Sequence, residues 1–152
     1  MKKLLLILLI VPFLSCSDAV VSDSTKNFED NRWMQSDVKS FSLELGEDIS
    51  TGKLVLNFSH VYNPGYTNLP VAIAITNPDG ATETVMANLE LRTKSGKDLG
   101  SCTGDICDLK QIIKKSVPFK SGTYKVTVQH GFSGPYLPNV LMVGVVIEKL
   151  GI

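Results

Sequence analysis

Two cysteines and two histidines in the body of this 152-residue chain are the side chains best suited to chemistry. Cys102 and Cys107 flank Thr103-Gly104-Asp105-Ile106, and with Cys16 set apart at the N-terminus they form an even pair. In an exported chain the default for such a pair is a local disulfide. Closing so short a loop contributes about 2 kcal/mol, enough to pin a loop tip but not to hold a fold. Zinc would need two further ligands, and the sequence offers no nearby Cys or His. The four-residue spacing also departs from the Cys-x-x-Cys arrangement that activates a thiol. His60 and His130 both fall on the apolar parity of alternating segments and near their ends. They could meet at one rim, although a hydrogen-bonded histidine at the edge of a core is the commoner outcome. The sequence contains no His-Glu-x-x-His, no Gly-x-Ser-x-Gly, no phosphate-binding glycine loop and no EF-hand spacing of acids. The expectation is a protein without catalytic residues, metal or cofactor.

Cys16 belongs to a different chemistry. Lys2 and Lys3 precede an apolar run from Leu4 to Leu14, and Ser15-Cys16 follow directly. Eleven apolar residues suit the h-region of an export signal, whereas a spanning helix needs about 20. Ser15-Cys16 resembles the lipobox of bacterial lipoproteins, in which the signal is cut before the cysteine and the cysteine carries a thioether-linked diacylglycerol. Phe13 and Leu14 depart from the commonest form of that motif. Two or three acyl chains give stable attachment where one is marginal. The alternative is a plain secretory signal with a cysteine placed there by chance.

Removal of residues 1–15 leaves 13 basic against 15 acidic residues, a charge of −2. A basic nucleic-acid footprint is thereby excluded. Residues 16–38 begin polar and rich in small side chains, without periodicity, and read as the lipid anchor followed by a flexible tether about 25 Å end to end. Within that stretch Asp23-Ser24-Thr25 resembles a short bacterial O-glycosylation acceptor, a pattern that also arises by chance. The single Trp33 reads as a residue that docks the tether on the domain.

From residue 39 onward the chain alternates. Phe41, Leu43 and Leu45 are separated by polar residues, as are Leu54, Leu56, Phe58 and His60 in the segment from Gly52 to Val61. Period two marks half-buried strands. Residues 70–76 run through Asn77-Pro78-Asp79-Gly80 into a returning strand carrying Val85, Ala87, Leu89 and Leu91, which is a hairpin. Tyr124, Val126, Val128 and His130 alternate in a later strand. The nearly continuous apolar run from Leu141 to Glu148 reads as a central strand buried on both faces. One further strand is indicated around Ser116 to Phe119, while Leu109, Ile112 and Ile113 fall at helical spacing and leave that segment unassigned. The resulting fold class is all-β, a single β-sandwich over residues 39–152, with jelly-roll topology favoured over an immunoglobulin-like order.

The order of local motifs resembles the gliding-motility lipoprotein H (GldH) family of the Bacteroidota along almost the full chain. The likeness runs from Cys16 and Trp33 through Tyr66-Thr67-Asn68-Leu69 and Pro78-Asp79-Gly80 to Gly96-Lys97-Asp98-Leu99-Gly100 and Gly104-Asp105-Ile106. It continues in Phe119-Lys120-Ser121-Gly122-Thr123-Tyr124 and the closing residues 143–149. Cys102 and Cys107 are additions to the family pattern, and Asp98 stands where an aromatic is usual. The resemblance implies a membrane-anchored lipoprotein of the cell envelope, at the inner or outer membrane facing the periplasm or exposed at the surface. It further implies a non-catalytic accessory or scaffold in gliding motility and the associated type IX protein secretion, with protein partners in that machinery and no nucleic acid. Tyr62, Tyr66, Phe132 and Tyr136 lie on Pro-Gly loops and are candidate partner-binding anchors. The competing role for these four is capping the ends of the core. A carbohydrate-binding or adhesive surface module is the rival function, and a hydrolase has little support in the sequence.

Overall fold

The computed structural model describes residues 19–151, so the expected signal peptide and the lipidation site Cys16 lie outside the described residues. Eleven strands and one short 3-10 turn make up the regular structure of the described residues. The strands are β1 (Ala19–Asn27), β2 (Arg32–Met34), β3 (Lys39–Leu45), β4 (Ile49–Val61), β5 (Asn68–Thr76), β6 (Thr82–Glu90), β7 (Ser101–Thr103), β8 (Ile106–Phe119), β9 (Gly122–His130), β10 (Tyr136–Pro138) and β11 (Val140–Lys149). One sheet runs β1-β11-β4-β8-β7 and the other β3-β9-β5-β6, with β2 and β10 paired as a small ribbon. Every pairing is antiparallel.

The alternation sets the sandwich. Leu54, Leu56 and Phe58 of β4 and Val143, Val145 and Ile147 of β11 face Phe41 and Leu43 of β3, Val71, Ile73 and Ile75 of β5, and Val126 and Val128 of β9 in one buried cluster. Each such side chain fully withdrawn from water contributes roughly 1.5–3 kcal/mol. β11 lies between β1 and β4, and Val146 and Glu148 on its second face are buried too. Its continuous apolar run reflects that central position. The hairpin turn follows its chemistry: Gly80 has φ +87°, its N–H donates to Asn77 O at 2.9 Å, and the Asp79 carboxylate accepts from Ala81 N–H at 2.9 Å.

Two expectations change. Residues 108–115 continue β8 rather than turning helical, because β4 pairs with β8 along its length, from Ile49↔Phe119 to Val61↔Ile106, across three register shifts. Register shifts in that ladder rotate successive side chains, and Ser116 at φ +57° interrupts the alternation. Leu109 and Ile113 keep strand parity toward the core, while Ile112, paired with Val55, is 42% exposed on the other face, and this exposed apolar residue is what gave the three a helix-like spacing. The expected tether is also corrected: residues 19–27 are β1, an edge strand paired with β11 from Ala19↔Lys149 to Asn27↔Met142. None of its residues is buried, so it shows no apolar period, and its backbone pairing with β11 holds it in place. The sandwich therefore begins at residue 19 rather than 39. Glu44 N–H donates to Ser22 Oγ at 3.1 Å, which joins β1 to β3 and the two sheets along one side.

The strand registers also define two ends. At one end lie Ala19, Lys149, Gly52 and Val117, near the β5–β6 and β8–β9 turns. At the opposite end lie the loops after β4, β6 and β9, the β7–β8 hairpin and the β2–β10 ribbon.

Candidate functional site

All four aromatic candidates fall at that second end, and the structure divides them. Tyr66 and Phe132 pack with ring centroids 5.6 Å apart against the edge of the core. The Tyr66 hydroxyl donates to Pro138 O at 3.1 Å, and burial pushes its pKa up. These two cap the core. Tyr62 is 50% exposed, and the Arg92 guanidinium lies 5.3 Å from its ring centre. Tyr136, half-buried in β10, has Arg32 at 4.9 Å from its ring in the same manner.

Arg92 organises the end. Its Nε donates to Asp98 Oδ1 at 2.6 Å and its Nη1 to Asn63 Oδ1 at 2.7 Å, while its own N–H and that of Leu91 reach Thr67 O. The hydrogen bond to Asp98 raises the Arg92 pKa further. Two loops are thus tied by one planar donor group with its five N–H bonds in a fixed fork. Asp98 is its ion-pair partner. The β7–β8 hairpin joins the same assembly: Tyr62 N–H donates to Asp105 O at 2.8 Å. Cys102 and Cys107 face each other across that hairpin and are disulfide-bonded, with Cα atoms 4.0 Å apart. Asn139 completes the frame, donating through Nδ2 to Pro64 O at 2.9 Å and accepting from Val61 N–H at 2.9 Å.

Among the described residues, five of the nine exposed large apolar side chains sit at this end: Tyr62, Leu99, Ile106, Met34 and Val38. Arg92, Arg32, Asp105 and Asn139 were not singled out from the sequence. Arg92 had one available signal, an acidic residue six positions on across a Lys-Ser-Gly-Lys turn.

The histidines are both buried at this end but belong to different sheets. His60 on β4 places Nδ1 2.9 Å from Val61 O and packs on Phe58. His130 on β9 donates from Nε2 to Trp33 O at 3.1 Å, accepts at Nδ1 from Phe132 N–H at 3.3 Å, and meets the Trp33 ring edge-on. Desolvation lowers its pKa, and this bonding pattern is that of the neutral ring. No hydrogen bond between the two histidines is found among the described residues. Trp33 is fully buried, with its indole N–H on Asp37 O at 2.7 Å, the docking role expected of it. Among the described residues no group of three or more His, Cys, Asp or Glu is placed to hold a metal ion.

The fold and this end define an antiparallel β-sandwich domain that presents a cross-braced cluster of loops with exposed aromatic and aliphatic side chains. The chain belongs to the GldH lipoprotein family, which it matches over residues 20–147. It is 27% identical over 125 residues to the gliding motility lipoprotein GldH of Flavobacterium johnsoniae, covering 82% of this chain and 77% of that one. It is 26% identical over 121 residues to a GldH homolog of Christiangramia forsetii, covering 79% and 74%. A solved CocE/NonD family hydrolase from Staphylococcus aureus gives a TM-score of 0.44 at 10% identity, over 88% of this chain and 34% of that one, too weak a likeness to carry any assignment. Membership in a lipoprotein family associates the chain with a membrane of the cell envelope.

Proposed function

We propose that the protein is a lipid-anchored, non-catalytic scaffold of the gliding motility apparatus and the associated type IX secretion system, with Cys16 as the anchor. Its relatives are named for gliding motility. The observation that carries the scaffold role is the polarity of the sandwich. Ala19, three residues after Cys16, lies at one end, while the exposed apolar side chains around Tyr62 gather at the other. An anchored domain so arranged presents its apolar loops away from the lipid, where protein partners are met. Bracing by Arg92 and the disulfide keeps those loops ordered before binding, which lowers the entropy cost of association.

The alternative, a carbohydrate-binding or adhesive module, draws on the same exposed tyrosines. Against it, one face of Tyr62 and one of Tyr136 already lie against arginines, which reduces the aromatic surface open to stacking on a sugar.

The test is deletion of the gene in its host, followed by complementation with the wild type or with Cys16→Ala at matched abundance. Colony spreading and the secreted proteome are then measured. The scaffold reading expects both to fall on deletion and to return only with the lipidated form. An unchanged secretome and normal spreading would overturn it, and specific binding on a glycan array would favour the alternative.

A further inference from the structure

The outer strands of the two sheets differ in how their free edges are guarded. β1 is shifted in register between Val20 and Ser22, and Ser22 ties it to Glu44 of β3, so those two edges close on each other. β7 covers β8 only from Ile106 to Asp108. The rest of β8 carries Lys110, Lys114 and Lys115, three register shifts against β4, and Ser116 at φ +57°. Lysines and bulges are common means of keeping a foreign strand off an edge. β6 has neither. It pairs with β5 from Thr82↔Thr76 to Glu90↔Asn68 without a shift, and its residues include no Lys, Arg, Pro or Gly.

Two hydrogen bonds flanking this ladder show which way its backbone groups point. Asn77 N–H donates to Ala81 O at 2.8 Å, and Leu91 N–H to Thr67 O at 2.9 Å. Each marks a pair of the bonded kind, and such pairs recur at every second residue. The odd-numbered residues of β6 therefore bond to β5, while Thr82, Thr84, Met86, Asn88 and Glu90 turn their N–H and C=O groups outward. All of these side chains are exposed, Met86 at 72%. Among the described residues no strand other than β5 pairs with β6. On the inner side, Val85 and Ala87 of β6 and Ile113 of β8 pack on the core yet are only partly buried. The ion pair of Glu83 with Lys114 closes this apolar seam at its Thr82 end.

We propose that the β6 edge takes up an extended segment of a partner protein as an added strand, with apolar side chains at alternate positions against Val85, Ala87 and Ile113. A row of outward N–H and C=O groups is matched in full only by another extended backbone. Main-chain bonds then supply affinity, and the apolar seam selects the side chains. A second copy of this chain is excluded by orientation. Antiparallel pairing of two β6 strands turns one sandwich end for end, whereas copies anchored through Cys16 in one leaflet all hold Ala19 toward the lipid. Parallel pairing about a two-fold axis along the strands sets the exposed face of one copy beside the core face of the other. This exclusion rests on the lipid anchor of the reading above. The edge also continues into the loop end, because β6 runs through Leu91 into Arg92, which bonds Asp98 and Asn63 there. One partner protein thus meets both surfaces.

The experiment uses the full chain in its host. Benzoylphenylalanine is placed at Thr84, Met86 and Asn88 in turn, cells are irradiated, and the linked residues are located by mass spectrometry. The adducts are expected on one segment of another polypeptide, with the point of attachment moving two residues along it at each step, the period of a strand. Scattered adducts, or none, overturn the proposal. Adducts to a second copy of this chain overturn the partner assigned. In the deletion strain, Met86→Pro removes one outward N–H at an edge position where a strand tolerates proline. It is expected to lose type IX cargo secretion, and Met86→Ser, which keeps the N–H, is expected to secrete well above it. Equal secretion by these two variants, both with wild-type melting temperatures, overturns main-chain pairing. Where Met86→Pro does not fold, the cross-linking pattern decides. If deletion of the gene itself leaves the secretome unchanged, the scaffold reading fails, while the cross-linking still tests the edge.

Discussion

His130 shows most clearly how single residues in this fold behave. Its burial and the N–H donated to it by Phe132 favour the neutral ring, so its folded pKa lies below the ordinary 6.5. The unfolded chain then binds the proton more readily, and the stability that His130 contributes is complete above pH 6.5 and lost as pH falls through the folded value. Urea midpoints measured at pH 7.5 and 5.5 should therefore drop on acidification, and drop less in His130→Gln. Equal pH slopes in the two proteins would count against this account. The aromatic candidates separate by the same kind of reasoning. Tyr66→Phe removes a part-buried hydrogen bond and is expected to cost about 1 kcal/mol in urea unfolding. Tyr62→Ser, at a half-exposed position, should stay within about 0.5 kcal/mol. Sequence parity placed both histidines in the core correctly, because alternation depends on one strand alone. That Arg92 would hold two loops together depends on where three separate segments end, and no local pattern carries that information.

At the scale of elements, the strands with a buried face were legible and the exposed edge was not. β3, β5, β6 and β9 alternate because one face of each meets the core, whereas β4 lies between β11 and β8 and buries residues on both faces. β1 has no buried residue, so its polar sequence reads the same as a coil. Its dependence on β11 gives a specific prediction. A Cβ at Gly144 would lie 2.8 Å from Thr25 Cγ2 and 3.2 Å from Ser24 O. Gly144→Val should therefore displace β1 while β11 keeps its pairing with β4, seen as faster amide exchange across residues 19–27 with little change in β4. Uniform exchange over the whole sheet would contradict a separable edge strand. The β7–β8 hairpin is a second local unit. Replacing Cys102 and Cys107 together with Ser should cost about 2 kcal/mol of stability and leave the sandwich folded, as checked by thermal melting and circular dichroism.

For the molecule as a whole, the registers put the chain's entry point and its exposed apolar loops at opposite ends of one rigid sandwich. Reading residues 16–38 as a tether would have given the domain freedom to turn, and β1 removes most of that freedom. What the domain can contact is then set by its orientation as much as by its side chains. The most direct measurement is type IX cargo secretion in the deletion strain carrying Tyr62→Ser with Tyr136→Ser, expressed at wild-type abundance and verified as folded and lipidated. The scaffold account predicts that secretion stays at the level of the deletion strain. Full restoration by this double variant would contradict the assignment of the loop end as the partner face.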